Sequence, residues 1–203
     1  MNWIHHIERG TDSLTLLLLH GTGGNEMQLM EFGRQVAPTA TLLGVRGRSL
    51  EEGSPRFFRR FTATKYDQPH LLAEGEALAQ FVTEAAQEYG LDAKRVVALG
   101  YSNGANIALA SLAHHPGAWA GAVLLRPVMP MDEPPGLDVR GLPVLVTSGA
   151  RDPYHEFAAP VVPYLRSVGA AVQEQVLDAG HELTAQDAEL TAAWLQGLSS
   201  TPA

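Results

Sequence analysis

The chain has 203 residues, 45% of them hydrophobic and 18% charged, which suits a single globular α/β domain and excludes intrinsic disorder, collagen-like repeats and coiled coil. Its 14 Lys and Arg against 22 Asp and Glu leave a net charge of -8, so a polyanion is repelled and nucleic acid is not an expected partner. Cysteine is absent, which removes disulfides, Cys-ligated metal sites and a Cys nucleophile.

Residues 1–10 lack the basic segment and apolar stretch of a secretory signal, so a cytoplasmic location is expected. Strands are expected over 3–7 and 14–19. The six residues between them are turn-rich and too few for a crossover helix, so this pair is expected to be antiparallel. The run LTLLLL shows no polar alternation, as in a strand covered on both faces. It is far short of the roughly 20 apolar residues that cross a bilayer, so no membrane span is expected.

His20-Gly21-Thr22-Gly23-Gly24-Asn25-Glu26 follows, directly before a helical pattern over 27–36. Acyl transfer needs two backbone N–H groups aimed at the oxygen that becomes negative, and a loop in this position supplies one of them. Thr22 is the candidate. Gly21-Thr22-Gly23 also opens the G-x-G-x-x-G of dinucleotide sites, with Arg46 placed to meet the extra phosphate of NADP, but Glu26 occupies the third glycine position.

After a strand over 41–45, Arg46, Arg48, Arg56, Arg59 and Arg60 put five of the 14 cationic residues into one loop at a strand's carboxyl end. Arg46 and Arg56 are candidates for an anionic group on the substrate, with Phe57 and Phe58 covering its apolar part. The alternative is that Glu51, Glu52 and Asp67 pair with these arginines and the phenylalanines are core. A helix over 72–88 follows from Leu78, Phe81, Val82 and Ala85 on one face.

A strand over 96–100 runs into Gly100-Tyr101-Ser102-Asn103-Gly104 and then a helical pattern over 105–114. G-x-S-x-G between strand and helix puts a serine on a sharp turn, where glycines two residues to either side let strand and helix pass closely. Ser102 is the expected nucleophile, and the N–H of Asn103 is the second oxyanion donor. The structural alternative is a serine that only caps the helix.

A strand over 122–125 leads into 127–141, where Pro127, Pro130, Pro134 and Pro135 forbid a regular helix, so a loop stands where a helical cap could have been inserted. Met129 and Met131 are candidate apolar contacts for substrate. Asp152 follows a strand over 144–147, and His181 follows one over 172–177; helices are expected over 157–168 and 185–195. A serine hydroxyl needs a base and an orienting carboxylate, in the chain order Ser, Asp, His. Asp178 rivals Asp152 but shares its loop with the base. Among the eight histidines, position singles out His181. Residues 1–198 are expected to form the domain, and 199–203 a disordered tail.

LLLLHGTGGNE, GVRGRSLEEGSPRFFRRF, VALGYSNGANIALA, AVLLRPVMP, VTSGARDP and DAGHELT together resemble the α/β-hydrolase superfamily, within it the small, capless phospholipase/carboxylesterase family and its bacterial carboxylesterase branch. The resemblance covers about 14–195. It implies a mainly parallel sheet of about seven strands with helices on both faces and no cap domain, a Ser102, Asp152, His181 triad, and Thr22 and Asn103 as oxyanion donors. The implied activity is that of a serine carboxylesterase cleaving small carboxylic esters through an acyl-enzyme, with no metal or cofactor. Lysophospholipase or acyl thioesterase activity is the alternative within the family, though acyl-protein thioesterases typically carry Gln where this chain has Asn103. A ligand-binding relative without catalysis is the alternative outside enzymes.

Overall fold

The computed structural model describes residues 2–199; residues 200–203 of the expected tail lie outside them, and Ser199 ends a helix. In chain order the elements are β1 (His5–Glu8), β2 (Thr15–Leu19), α1 (Met30–Val36), β3 (Thr41–Val45), β4 (Ser49–Glu51), β5 (Ser54–Arg56), α2 (Gln68–Tyr89), β6 (Val96–Tyr101), α3 (Asn103–His114), β7 (Gly121–Leu125), β8 (Pro143–Gly149), α4 (His155–Ala158), α5 (Val161–Ser167), β9 (Ala171–Leu177) and α6 (Ala185–Ser199). Seven strands form one sheet in the order β1-β3-β2-β6-β7-β8-β9, parallel except for β1. Successive side chains of β2 divide the core: Leu17 and Leu19 join the layer packed by α2 and α3, whereas Leu16 and Leu18 join the layer packed by α1 and α6. Burial on both faces is why this strand reads as a continuous apolar run.

β1 is antiparallel as expected, but its partner is β3 and not β2, with His5 opposite Val45 and Glu8 opposite Leu42. Skipping one strand requires about 10 Å, which six residues span easily. Their path crosses the start of β3: Thr11 and Asp12 both donate to Thr39 O, and Gly10 lies so close that a Cβ would sit 2.2 Å from Ala40 C.

The helices depart from their expected bounds: α3 begins two residues early, at Asn103, and α6 runs on to Ser199. α1 starts later than expected because Asn25 Oδ1 accepts from Met27 N and a turn occupies the first residues. α2 starts earlier, capped by Asp67 Oδ1 accepting from His70 N at 3.1 Å. The expected helix over 157–168 is two short ones, divided at Ala159-Pro160. In addition, β4 and β5 form a hairpin within the arginine-rich loop, turning on Glu52 (φ 50°) and Gly53 (φ 81°). Positive φ at both central residues usually calls for Asn-Gly or Asp-Gly, so Glu-Gly hid the turn. Residues 127–141 contain no helix, and no cap is inserted among the described residues. None of their helices is long and apolar enough to cross a membrane.

The turn from β6 to α3 passes close against the end of β2. Ser102 takes φ 51° and ψ -112°, and a Cβ on Gly104 would lie 1.9 Å from Leu19 O. Because the obstacle is backbone of a central strand, it cannot give way. Gly104→Ala should therefore lower the unfolding free energy by about 3 kcal/mol or more, whereas Gly136→Ala, with nothing within 4 Å of its Cβ, should be close to neutral. Urea unfolding of the two variants checks this.

Candidate active site

Three loops at the carboxyl ends of β6, β8 and β9 bring Ser102, Asp152 and His181 together. Ser102 Oγ lies 2.8 Å from His181 Nε2, and His181 Nδ1 lies 2.7 Å from Asp152 Oδ2. A carboxylate only accepts, so Nδ1 carries the proton and Nε2 is left to accept from the serine hydroxyl. The other carboxylate oxygen, Asp152 Oδ1, accepts from Tyr154 N at 2.8 Å, which fixes the acid's orientation. Tyr154 also packs its ring edge-on against His181, and Tyr101 OH donates to His181 O at 3.1 Å. Asp178 does not enter this chain: it is exposed and paired with Arg151.

Thr22 is held by its neighbours on both sides. Gly21 N donates to Gln28 Oε1 and Gly23 N to Pro55 O, while Thr22 Oγ1 accepts from Arg56 Nη1 at 2.7 Å. Beneath the loop, His20 Nδ1 donates to Gly21 O and its Nε2 accepts from Gly47 N. Burial pushes the His20 pKa below its usual value, in keeping with that neutral tautomer. Asn103 Oδ1 accepts from Phe57 N at 2.8 Å. Residues 55–57 thus brace both candidate oxyanion residues at once.

Ser102, His181 and these two residues open onto a cleft of about 280 Å³, whose lining also includes Arg56, Tyr66 and Val128, while Asp152 lies behind His181 outside the lining. Of the residues expected to touch substrate, Arg56 lines it. The structure places the others elsewhere. Arg46 forms a two-pronged pair with Glu26, at 2.5 and 2.7 Å, outside the lining. Phe57 and Phe58 are fully buried core, Phe57 packed at a tilt against His20 and Phe58 edge-on against Tyr66. Met131 is core and Met129 packs against it; their neighbour Val128 reaches the cleft instead. Arg48, Arg59 and Arg60 meet Glu74, Asp67 and Glu51, so the alternative of local ion pairing describes most of this loop.

Sequence reasoning missed Arg126 and Asp187. Arg126, the residue after β7 with φ 53°, is fully buried and joined to Asp187 by Nη1–Oδ1 at 2.8 Å and Nη2–Oδ2 at 2.9 Å. Its Nε donates to Gly180 O and its Nη2 to Glu182 O, the carbonyls either side of His181. Burial would raise the Asp187 pKa, but bonds from Arg126, Thr147 and Thr184 N outweigh it and hold the carboxyl below its usual range. The only sequence signal was an arginine at the end of an apolar strand.

No family model matches the chain. It is 43% identical over 192 residues, 94% of its own length and 96% of the relative's, to the "Putative hydrolase MhqD" of Bacillus subtilis (strain 168). The crystal structure of the Bacillus cereus carboxylesterase is similar to it with a TM-score of 0.93 and 37% identity, covering 97% of this chain and 94% of that one. A carboxylesterase from Mesorhizobium loti gives a TM-score of 0.93 and 37% identity, covering 96% and 95%.

Proposed function

The chain belongs to the carboxylesterase family of α/β-hydrolases, and from that premise we propose that it is a serine carboxylesterase acting on small esters. The observation that carries this reading is the unbroken hydrogen-bonded chain from Ser102 through His181 to Asp152. His181 Nε2 takes the hydroxyl proton as Ser102 Oγ attacks the ester carbonyl, and Asp152 steadies the imidazolium. The carbonyl oxygen becomes an oxyanion facing the N–H groups of Thr22 and Asn103. Collapse expels the alcohol, which takes the proton back from His181. A water then gives its proton to His181 and attacks the acyl-serine, and the acid leaves as Ser102 regains a proton.

The cleft, at about 280 Å³, lies just below the usual range of about 300–1,000 Å³ for ligand sites. That favours short acyl groups over the long chains of lysophospholipids. The test is covalent labelling. A fluorophosphonate should modify Ser102 alone, mapped by mass spectrometry, and prior inactivation by diethyl pyrocarbonate at His181 should slow it. A protein that stays unlabelled, or carries the adduct elsewhere, refutes the serine mechanism.

A further inference from the structure

We infer that the cleft beside Ser102 holds a carboxylate-binding subsite made by Arg56 and Arg60, so that the preferred substrate is a small ester bearing a second, free carboxylate, such as the monoester of a short dicarboxylic acid. The inference rests on the serine esterase reading and adds the substrate's charge to it. Arg56 lines the cleft although its side chain is only 3% exposed, and Arg60 lines it beside Arg56. Arg56 Nη1 donates to Thr22 Oγ1 and its Nε to Phe58 O at 3.3 Å, while Nη2 has no hydrogen-bond partner among the described residues. Arg60 uses only Nε, donating to Glu51 Oε1 at 2.9 Å, which leaves both terminal nitrogens open.

Charge points the same way. Glu51 is the carboxylate facing both guanidinium groups, 3.5 Å from Arg56 and 2.9 Å from Arg60, so two positive charges share one negative. No carboxylate lines the cleft among the described residues, and the third arginine there, Arg126, is already neutralised by Asp187. Burial pushes the Arg56 pKa down, the mark of a cation whose water has been removed without full replacement, yet a guanidinium remains charged at any ordinary pH. One donor beside Ser102 is buried and unpaired: with Asn103 Oδ1 committed to Phe57 N, Nδ2 has no partner among the described residues. Unpaired donors at a cleft are costly and call for an acceptor, which the open nitrogens of Arg56 and Arg60 would find in a carboxylate. A guanidinium edge matches a planar carboxylate, and the bond from Arg56 to Thr22 Oγ1 sets this charge against a candidate oxyanion residue itself. The second carboxylate then sits within a short chain's length of the scissile carbonyl.

Hydrolysis of monomethyl glutarate and of methyl pentanoate, matched in length, tests the subsite by pH-stat. The anionic ester should be favoured about 10- to 100-fold in kcat/KM, and Arg60→Gln should reduce that ratio toward one. Arg56→Gln should do the same, but Arg56 is buried and that variant is read only if it unfolds cooperatively. Glutarate binding to the Ser102→Ala protein by calorimetry, lost in Ser102→Ala/Arg60→Gln, is independent of turnover. If Ser102 fails to label, the esterase reading falls while this titration still decides the subsite. A ratio of one or less in wild type, a ratio that survives Arg60→Gln, or no glutarate binding overturns the inference.

Discussion

Ser102→Ala is expected to abolish ester hydrolysis, and Asp152→Asn to lower kcat by about 10⁴-fold, with circular dichroism and urea midpoints little changed. The asymmetry with Asp178 makes the result informative. Asp152 Oδ2 accepts from His181 Nδ1 at 2.7 Å, so an asparagine there presents either an amide that cannot accept or a carbonyl that stabilises an imidazolium poorly. The imidazole then turns its proton toward Ser102 and can no longer act as base. Asp178 is 86% exposed and bonded to Arg151, so Asp178→Asn should leave kcat within about twofold, as expected of a surface ion pair. Turnover of 4-nitrophenyl acetate by the three variants checks this. An Asp178→Asn as damaging as Asp152→Asn would move the acid to the other carboxylate and contradict the observed geometry.

Ser102, Asp152 and His181, which the structure joins in one hydrogen-bonded chain, were legible as candidates because each is specified locally. Each ends an apolar run of strand length, and in a parallel sheet all such ends lie on one edge, so Ser102, Asp152 and His181 needed no knowledge of distant packing. Strand pairing is a different kind of information. β1 could be read as antiparallel from the short connection after it, but nothing local says that β3 inserts between β1 and β2 after a crossover through α1. The arginine-rich loop was ambiguous for the same reason. Arg46 and Arg56 look alike in sequence, yet Glu26 captures the first while the hairpin of β4 and β5 turns the second under Thr22. Phe57 and Phe58 next to it fill core space that only the tertiary arrangement creates.

Arg126 and Asp187 lie 61 residues apart and were invisible to such reasoning, and the largest effect on stability is expected from separating them. Both side chains are fully buried, so Arg126→Met leaves a carboxylate in the core with only Thr147 and Thr184 as partners and should cost about 3–5 kcal/mol at neutral pH. The pH dependence should change sign. In the wild type the depressed Asp187 pKa contributes stability that is complete above the unfolded value of about 4 and is lost as pH falls through the folded value. Without the guanidinium, burial raises the carboxyl above its unfolded value, and acidification relieves the penalty. Activity separates the clamp from a merely structural pair. Arg126→Met/Asp187→Leu removes both buried charges and should regain much of the stability, but it still lacks the two donors that hold Gly180 O and Glu182 O around His181. Its kcat should stay about 10²-fold below wild type, the scale expected when a reacting group shifts by about 1 Å. Urea unfolding from pH 3 to 7, with kcat measured on the same preparations, decides the matter: a double variant that recovers both stability and turnover would show that Arg126 supports the fold and leaves His181 to other contacts.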